Sequence, residues 1–209
     1  MNKLNSTSLN HLTRTLAAAD LDLGRVFNAY GPPPLWEREP GFATLIHIIL
    51  EQQVSLASAK ACIDKLTARV EIISPEAVLS LNDAELRAVG FSHQKTAYAR
   101  HLSEAILERR IDLEKLDRLP DADIKFELMK LNGIGEWTSD IYLLMAMLRQ
   151  DVMPKGDLAL HTAWHKLSGK PRPSSEEFVL VAAKWAPYRS VAARLLWHFY
   201  LSELRKPAL

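Results

Sequence analysis

Two glycines separated by one residue interrupt a helical pattern late in the middle of the chain, where residues 131–138 read LNGIGEWT. A helical pattern precedes them from Asp121 or Asp123, and the pattern resumes over residues 137–148. Glycine adopts positive φ at low cost and lets another backbone come close. Gly133 and Gly135 therefore predict a tight hairpin between two helices.

The start of a helix after such a turn carries unpaired backbone N–H groups and the positive end of the helix dipole, which together favour an anion. The alternative is that the glycines serve packing alone. Nineteen residues beyond Thr138 stands Asp157, directly before a predicted helix over 158–167. Aspartate is a preferred helix N-cap, and a fixed carboxylate can also stabilise positive charge in a closed site. Both roles are compatible.

The remainder of the sequence predicts an all-α protein. Gly31 is followed by three prolines, which form a stiff connector because proline cannot continue a helix. Ser74 before Pro75 is typical of a helix start, residues 82–85 (NDAE) resemble a capping box, and Ser174 or Ser175 begins a later helix. Further helices are expected over 9–18, 42–70 (one helix or two), 95–110, 176–184 and 187–204.

Composition limits the functional classes. A chain of 209 residues with a single cysteine, Cys62, forms one domain or two close lobes and holds no internal disulfide and no four-cysteine cluster. The N-terminus lacks a signal core, and the longest apolar run, 141–148, is too short for a membrane span and indicates a buried helix. The net charge is only +1, but residues 149–194 hold eight basic and four acidic residues, hence +4. This stretch either contacts phosphates or is a solvated helical surface.

The hairpin and Asp157 together resemble the helix-hairpin-helix DNA glycosylase superfamily, and Trp137-Thr138 resembles its alkylpurine (3-methyladenine) glycosylase II branch. The similarity extends to residues 42–61, which include EQQVS at 51–55, and to residues 89–92 with Lys95 and Tyr98. It also includes residues 185–190, which lead to Trp197, and in all covers roughly residues 36–204.

The resemblance implies two helical lobes with a central cleft. One lobe would be residues 39–148, with the helix-hairpin-helix at about 126–141. The other would be residues 1–38 plus 149–209, with Asp157 facing the cleft. The β-domain of longer branch members is expected to be absent.

The resemblance also implies a chemistry. A base must leave the duplex to be reached, and breaking its bond to the sugar builds positive charge that Asp157 would stabilise while orienting water. Relatives that also nick the strand carry a lysine where this chain has Trp137, so a monofunctional enzyme that leaves an abasic site is expected. A cationic alkylated base would stack on Trp137, with Trp197 as a second stacking residue. Core packing is the alternative for both.

Further site residues follow from the resemblance. Gln53 would fill the gap left by the flipped base, or be a buried amide. Tyr98 would line the base pocket, or belong to the core. Arg189 would hold a phosphate or brace Asp157, or form a surface ion pair. The predicted DNA contacts are Gly133, Ile134, Gly135, Thr138, Lys155 and Arg189. No cofactor is required, although the carbonyls of Met129, Leu131 and Gly133 are a predicted site for a monovalent cation.

The expected partner is damaged double-stranded DNA, bound by a monomer that does not contact membranes. The expected location is the cytoplasm of a bacterium, at the nucleoid, or the nucleus if the chain is eukaryotic, and the bacterial location is preferred. Two alternatives remain at this point. The lesion could be another base, such as hypoxanthine or ethenoadenine, or the chain could be a non-catalytic helix-hairpin-helix DNA-binding protein. Asp157 argues against the second, because a pure binder gains nothing from a negative charge beside phosphates.

Overall fold

The computed structural model describes residues 3–204, and most of these residues lie in helices. Within that range there is no β-strand, only one isolated bridge between Lys3 and Arg149. The α-helices, in chain order, are α1 (Ser6–Ala19), α2 (Leu21–Tyr30), α3 (Phe42–Glu51), α4 (Leu56–Val70), α5 (Pro75–Ser80), α6 (Asp83–Val89), α7 (His93–Leu107), α8 (Leu113–Leu116), α9 (Asp121–Met129), α10 (Glu136–Ile141), α11 (Leu158–Ser168), α12 (Ser175–Ala182) and α13 (Arg189–Phe199). The predicted all-α class is confirmed.

The helices fall into two compact units. The discontinuous unit contains the chain up to Glu37 and again from Leu143 onward, and the central unit runs from Arg38 to Tyr142. The predicted boundaries between the lobes lay after residues 38 and 148, whereas the boundaries between the units lie after residues 37 and 142. None of the helices within 3–204 has the length and apolar character needed to cross a membrane.

Capping signals read from the sequence mark real helix starts. The hydroxyl of Ser74 accepts a hydrogen bond from the N–H of Ala77, with Pro75 in the first turn of α5. Asn82 and Glu85 form a reciprocal capping box at the start of α6. Ser174, rather than Ser175, caps α12. Each device joins groups within three residues, so sequence spacing alone specifies it.

Longer patterns were less reliable. Residues 42–70, predicted as one helix or two, form two helices, α3 and α4. The predicted α-helix over 137–148 was wrong beyond Ile141, because the chain continues as a π-helical turn over Tyr142–Ala146. The last helix likewise ends in a π-helical turn, over Tyr200–Leu204. Residues 141–144 are all buried. The sequence therefore offers no alternation of polar and apolar residues that would show where the hydrogen bonding changes from α-helical to π-helical.

The centre of the central unit is α3, which is apolar around most of its circumference and packs against α4, α7 and α10. Helix α9 packs against α10, so these two are the helices on either side of the predicted hairpin. The buried core of α3 consists of Leu45, Ile46, Ile48, Ile49 and Leu50. Gln52 directly follows the C-terminal end of α3 and bonds to the hairpin.

The discontinuous unit is organised around α13, which contacts α1, α2 and α11. Arg194 of α13 is completely buried. Its guanidinium donates to the backbone carbonyls of Leu35 (2.8 Å), Leu144 (2.8 Å) and Ser190 (3.1 Å). Burial lowers the pKa of Arg194 to about 10, so the group is protonated at neutral pH. One side chain thus holds the chain where it leaves this unit and where it returns.

Replacing Arg194 by methionine is expected to lower the free energy of unfolding by about 3 kcal/mol or more, because buried carbonyls lose their donor. Urea unfolding measures this value. Arg25→Met is the control, since Arg25 is 68% exposed in its ion pair with Asp22 and exposed pairs contribute at most about 1 kcal/mol. Equal losses in the two variants would contradict the role of Arg194.

Candidate functional site

The two hairpin glycines meet different requirements. Gly133 has φ +87°, and a Cβ at this position would come within 2.2 Å of the Tyr98 ring. Gly135 has φ −101°, and a Cβ there would meet no atom of the protein within 4 Å. Positive φ therefore explains Gly133 only. The protein itself leaves room at Gly135 for a side chain, and the same room is open to an approaching ligand.

Tyr98 lies on α7 against the hairpin, and its hydroxyl accepts a hydrogen bond from the amide of Gln94. The ring therefore sets the shape of the turn by excluding any side chain at Gly133. Its predicted place in a base pocket stays a prediction.

Two residues predicted to contact DNA turn their side chains inward. Ile134 is 4% and Thr138 2% exposed, so contact with a ligand in this conformation is left to their backbone atoms. The Thr138 hydroxyl accepts a 2.8 Å hydrogen bond from Gln52 Nε2, which also donates to the Gly133 carbonyl at 2.8 Å. Sequence reasoning missed Gln52, although it is the first glutamine of the EQQVS segment.

Gln53 follows Gln52 with a left-handed backbone, φ +56°, and an exposed side chain. Val54 and Leu56 beside it are also exposed. The buried-amide alternative for Gln53 is thus wrong. Residues 53–57, which are the turn before α4 and the first two residues of that helix, present apolar and amide groups to solvent. We call this segment the wedge loop, because exposed apolar side chains are of the type that can be inserted between bases.

A cavity of about 440 Å³ lies beside the hairpin in the central unit. Lys95 in its wall donates a 2.7 Å hydrogen bond to the Leu50 carbonyl, and burial lowers its pKa. The three residues predicted to hold a cation, Met129, Leu131 and Gly133, all line this cavity. The Leu131 carbonyl accepts a hydrogen bond from the N–H of Ile134 and the Gly133 carbonyl accepts one from Gln52, so cation binding there stays a prediction. The lining residues are Gln52, Gln53, Gln94, Lys95, Tyr98, Met129, Leu131, Asn132, Gly133, Ile134 and Gly135.

Asp157 lies in the discontinuous unit and caps α11. Its Oδ1 accepts the N–H of Leu160 at 2.9 Å and the indole N–H of Trp197 at 3.3 Å. The residue is 8% exposed. The predicted N-cap is confirmed, and its catalytic role stays a prediction. Two donors on one oxygen hold the carboxylate in a single orientation.

Trp197 is buried, with Trp36 packed edge-on at a centroid distance of 6.4 Å. Its indole N–H donates to Asp157, and its predicted stacking on a base stays a prediction. Trp137, in the first turn of α10, is half-buried. This position leaves part of its ring accessible in the central unit.

His161, one turn after Asp157, is buried and packs against Phe178 with the rings tilted by 52° at a centroid distance of 4.7 Å. Burial lowers the pKa of its imidazole, which favours the neutral form. It belongs to the packing of α11. Among the residues described, no group of three histidine, cysteine or acidic side chains is placed to hold a metal ion.

The basic stretch 149–194 is not one surface. Arg149 and Arg194 are buried. The guanidinium of Arg189 makes two 2.8 Å bonds to Asp151. Burial alone would raise the pKa of Asp151, but the bonds and charge of Arg189 outweigh it and the pKa is lowered. Lys155 Nζ lies 3.8 Å from Glu176. Phosphate contacts by Lys155 and Arg189 stay predictions that compete with these ion pairs.

The two glycines predict opposite behaviour on substitution. Gly133→Ala forces a Cβ into the Tyr98 ring and a left-handed φ on alanine, so the melting temperature should fall, by an amount equivalent to about 1–3 kcal/mol. Gly135→Ala meets no protein atom, so the melting temperature should stay near that of the wild type while binding to duplex DNA weakens. Thermal unfolding and fluorescence anisotropy measure the two effects. A reversed pattern would contradict this assignment.

Comparison with known proteins agrees with the geometry. The model of the HhH-GPD superfamily base excision DNA repair proteins matches residues 46–187. The chain is 27% identical to DNA-3-methyladenine glycosylase 1 of Schizosaccharomyces pombe over 180 residues, or 84% of this chain and 79% of that protein. It is 25% identical to a putative DNA-3-methyladenine glycosylase of Bacillus subtilis, over 90% of this chain and 67% of that protein.

Solved structures give the same result. A 3-methyladenine DNA glycosylase of S. pombe in complex with abasic DNA superposes with a TM-score of 0.81 at 26% identity, covering 90% of this chain and 95% of that chain. A DNA-3-methyladenine glycosidase of Bacillus halodurans superposes with a TM-score of 0.75 at 27% identity, covering 96% and 93%. With its family model matched over more than half of its length, the chain belongs to the HhH-GPD superfamily of base excision DNA repair proteins.

Proposed function

We propose that the protein is a monofunctional DNA glycosylase that acts as a monomer on damaged double-stranded DNA. It removes alkylated purines, such as 3-methyladenine and 7-methylguanine, and leaves an abasic site. The names of the relatives support this substrate class. The observation that carries the proposal is the nearly buried carboxylate of Asp157, oriented by an indole N–H and a helix N-terminus.

Asp157 would act on the sugar. Cleavage of the N-glycosidic bond builds positive charge on the sugar ring, and a carboxylate already held in place stabilises that charge without reorganising during the reaction. Its low exposure limits screening by water. The same carboxylate can orient or deprotonate the attacking water. Because water attacks the sugar, no covalent bond between the sugar and a residue of the chain is needed.

Trp137 would act on the base. A tryptophan has no amine that could form a Schiff base with the sugar, which is why strand cleavage is not expected. A purine alkylated at N3 or N7 is cationic and is attracted to the indole face. The same charge makes the base a good leaving group, so a general acid is not required.

The hairpin would hold the DNA backbone. Gly135 is open to an approaching phosphate, and the carbonyls of Met129, Leu131 and Gly133 would hold a monovalent cation. When bound, that cation would supply positive charge toward a phosphate. Gln53 would occupy the space left by the flipped base, whose extrusion costs a few kcal/mol.

Asp157→Asn should abolish release of 3-methyladenine and 7-methylguanine from methylated duplex DNA, with a loss of about 10²-fold or more. The fold should survive, because asparagine is an equally good N-cap. Chromatography of the released bases measures the rate. Persisting release would exclude Asp157 as the catalytic residue.

A matched control exists at Asp20. This residue also caps a helix, α2, and also accepts an indole N–H, from Trp185 at 2.9 Å. Asp20→Asn should therefore retain base release. If the wild type releases hypoxanthine or ethenoadenine but neither methylated base, the lesion class is wrong and the chemistry stands. DNA binding without release of any base would indicate a binding protein.

Trp197→Phe should lower the rate of base release about tenfold or more, because a hydrogen bond to a charged group contributes about 1.5–3 kcal/mol. The corresponding control is Trp185→Phe, which removes the indole donor to Asp20 and should leave the rate within about threefold. Single-turnover kinetics measure both. Equal losses in the two variants would show that lost packing, rather than the bond to Asp157, is responsible.

A further inference from the structure

We propose that Gln52 is a positioning residue that couples the hairpin to the wedge loop. Its side-chain amide fixes the two DNA-contacting segments of the central unit relative to each other, so that phosphate capture and insertion of Gln53 occur together. The expected effect on base removal rests on the proposed function. The hydrogen bonds that position the two segments are present in the protein without DNA.

The amide of Gln52 spans the hairpin. Nε2 donates to the Gly133 carbonyl in the turn and to the Thr138 hydroxyl in the first turn of α10, both at 2.8 Å. An amide nitrogen carries two hydrogens, so these acceptors use its full donor capacity. The two acceptors lie 81 and 86 residues away in sequence.

The segment before Gln53 is anchored as well. The Leu50 carbonyl accepts from Lys95 Nζ at 2.7 Å. The Glu51 carboxylate makes paired bonds of 2.8 and 3.0 Å with the guanidinium of Arg38. Lys95 and Arg38 thus hold the C-terminal end of α3. Gln53, with its left-handed φ of +56°, follows directly after Gln52. A shift of the hairpin is therefore transmitted to Gln53 through Gln52.

The two glutamines have separate roles. Gln53 is exposed and can enter the duplex, whereas Gln52 is half-buried and its donors face protein acceptors. Glutamate in place of Gln52 would keep the length of the side chain and bring a carboxylate against the Gly133 carbonyl. Glutamine is required because the site presents two acceptors and needs two donors.

Hydrogen exchange of the free protein tests the coupling without DNA or activity. Gln52→Ala and Gln52→Glu should speed amide exchange about tenfold in both residues 131–138 and the wedge loop, because alanine removes both hydrogen bonds and a glutamate carboxylate cannot donate to the Gly133 carbonyl. Thr138→Val removes one acceptor at constant shape and should give a smaller change of the same kind. Gln53→Ala is the matched control and should leave the hairpin unchanged. Unchanged exchange in the Gln52 variants overturns the proposal.

Kinetics test the consequence. Duplexes would carry 7-methylguanine opposite cytosine or opposite an abasic site, where extrusion of the base is easier. Gln52→Glu should slow single-turnover release about tenfold from the paired duplex and less than about threefold from the unpaired one. The double variant with Gln53→Ala should be no slower than Gln53→Ala alone.

The outcomes separate the two proposals. Equal losses on both duplexes would indicate general destabilisation and overturn the positioning role, as would additive effects in the double variant. Absence of release by the wild type would instead refute the proposed function. In that case the exchange experiment alone decides whether Gln52 couples the hairpin and the wedge loop.

Discussion

A buried guanidinium joins the chain segments from which the discontinuous unit is built. Arg194 donates to carbonyls of Leu35 and Leu144, which lie where the chain leaves and re-enters that unit, and to Ser190 on its own helix. Burying a charge is unfavourable unless its hydrogens are bonded, so these segments and α13 are held in one arrangement. Trp197 lies one turn further along α13 and donates to Asp157. The orientation of the candidate catalytic carboxylate thus depends on the anchoring of α13.

The same unit uses one bonding pattern in two places. Asp20 and Asp157 each cap a helix and each accept an indole N–H from a distant tryptophan. Asp20 also pairs with Lys184 at 2.7 Å. Burial would raise the pKa of Asp20, but its bonds to Lys184 and Trp185 outweigh that effect and lower it. A helix cap that accepts an indole N–H is therefore not by itself a sign of catalysis. A catalytic role for Asp157 must come from the other groups around it.

In the central unit, side chains hold the hairpin and the wedge loop in fixed positions. Tyr98 fills the space beside Gly133 and makes glycine obligatory there, while Gln52 donates a hydrogen bond to the Gly133 carbonyl. Rigid placement of contacting groups reduces the ordering cost of binding. Under the proposed function, a duplex that must be distorted to release a base would meet contacts that are already formed.

The sequence by itself determined the features that join near neighbours. Capping groups three residues apart placed the starts of α5, α6 and α12, and the position of Asp157 before a predicted helix identified it as a cap. The resemblance of the hairpin and Asp157 to a known superfamily identified the family, because those residues are carried by short motifs.

Only the tertiary structure decided the contacts between distant segments. It placed Tyr98 under Gly133, Gln52 on the hairpin and the indole of Trp197 on Asp157, across 40 residues in the last case. It also placed two arginines of the basic stretch in the interior, and it ended α10 in a π-helical turn. Spacing encodes hydrogen bonds within a helical turn, since the helix fixes their geometry. Bonds between segments depend on how whole helices pack, and no local pattern in the chain records that.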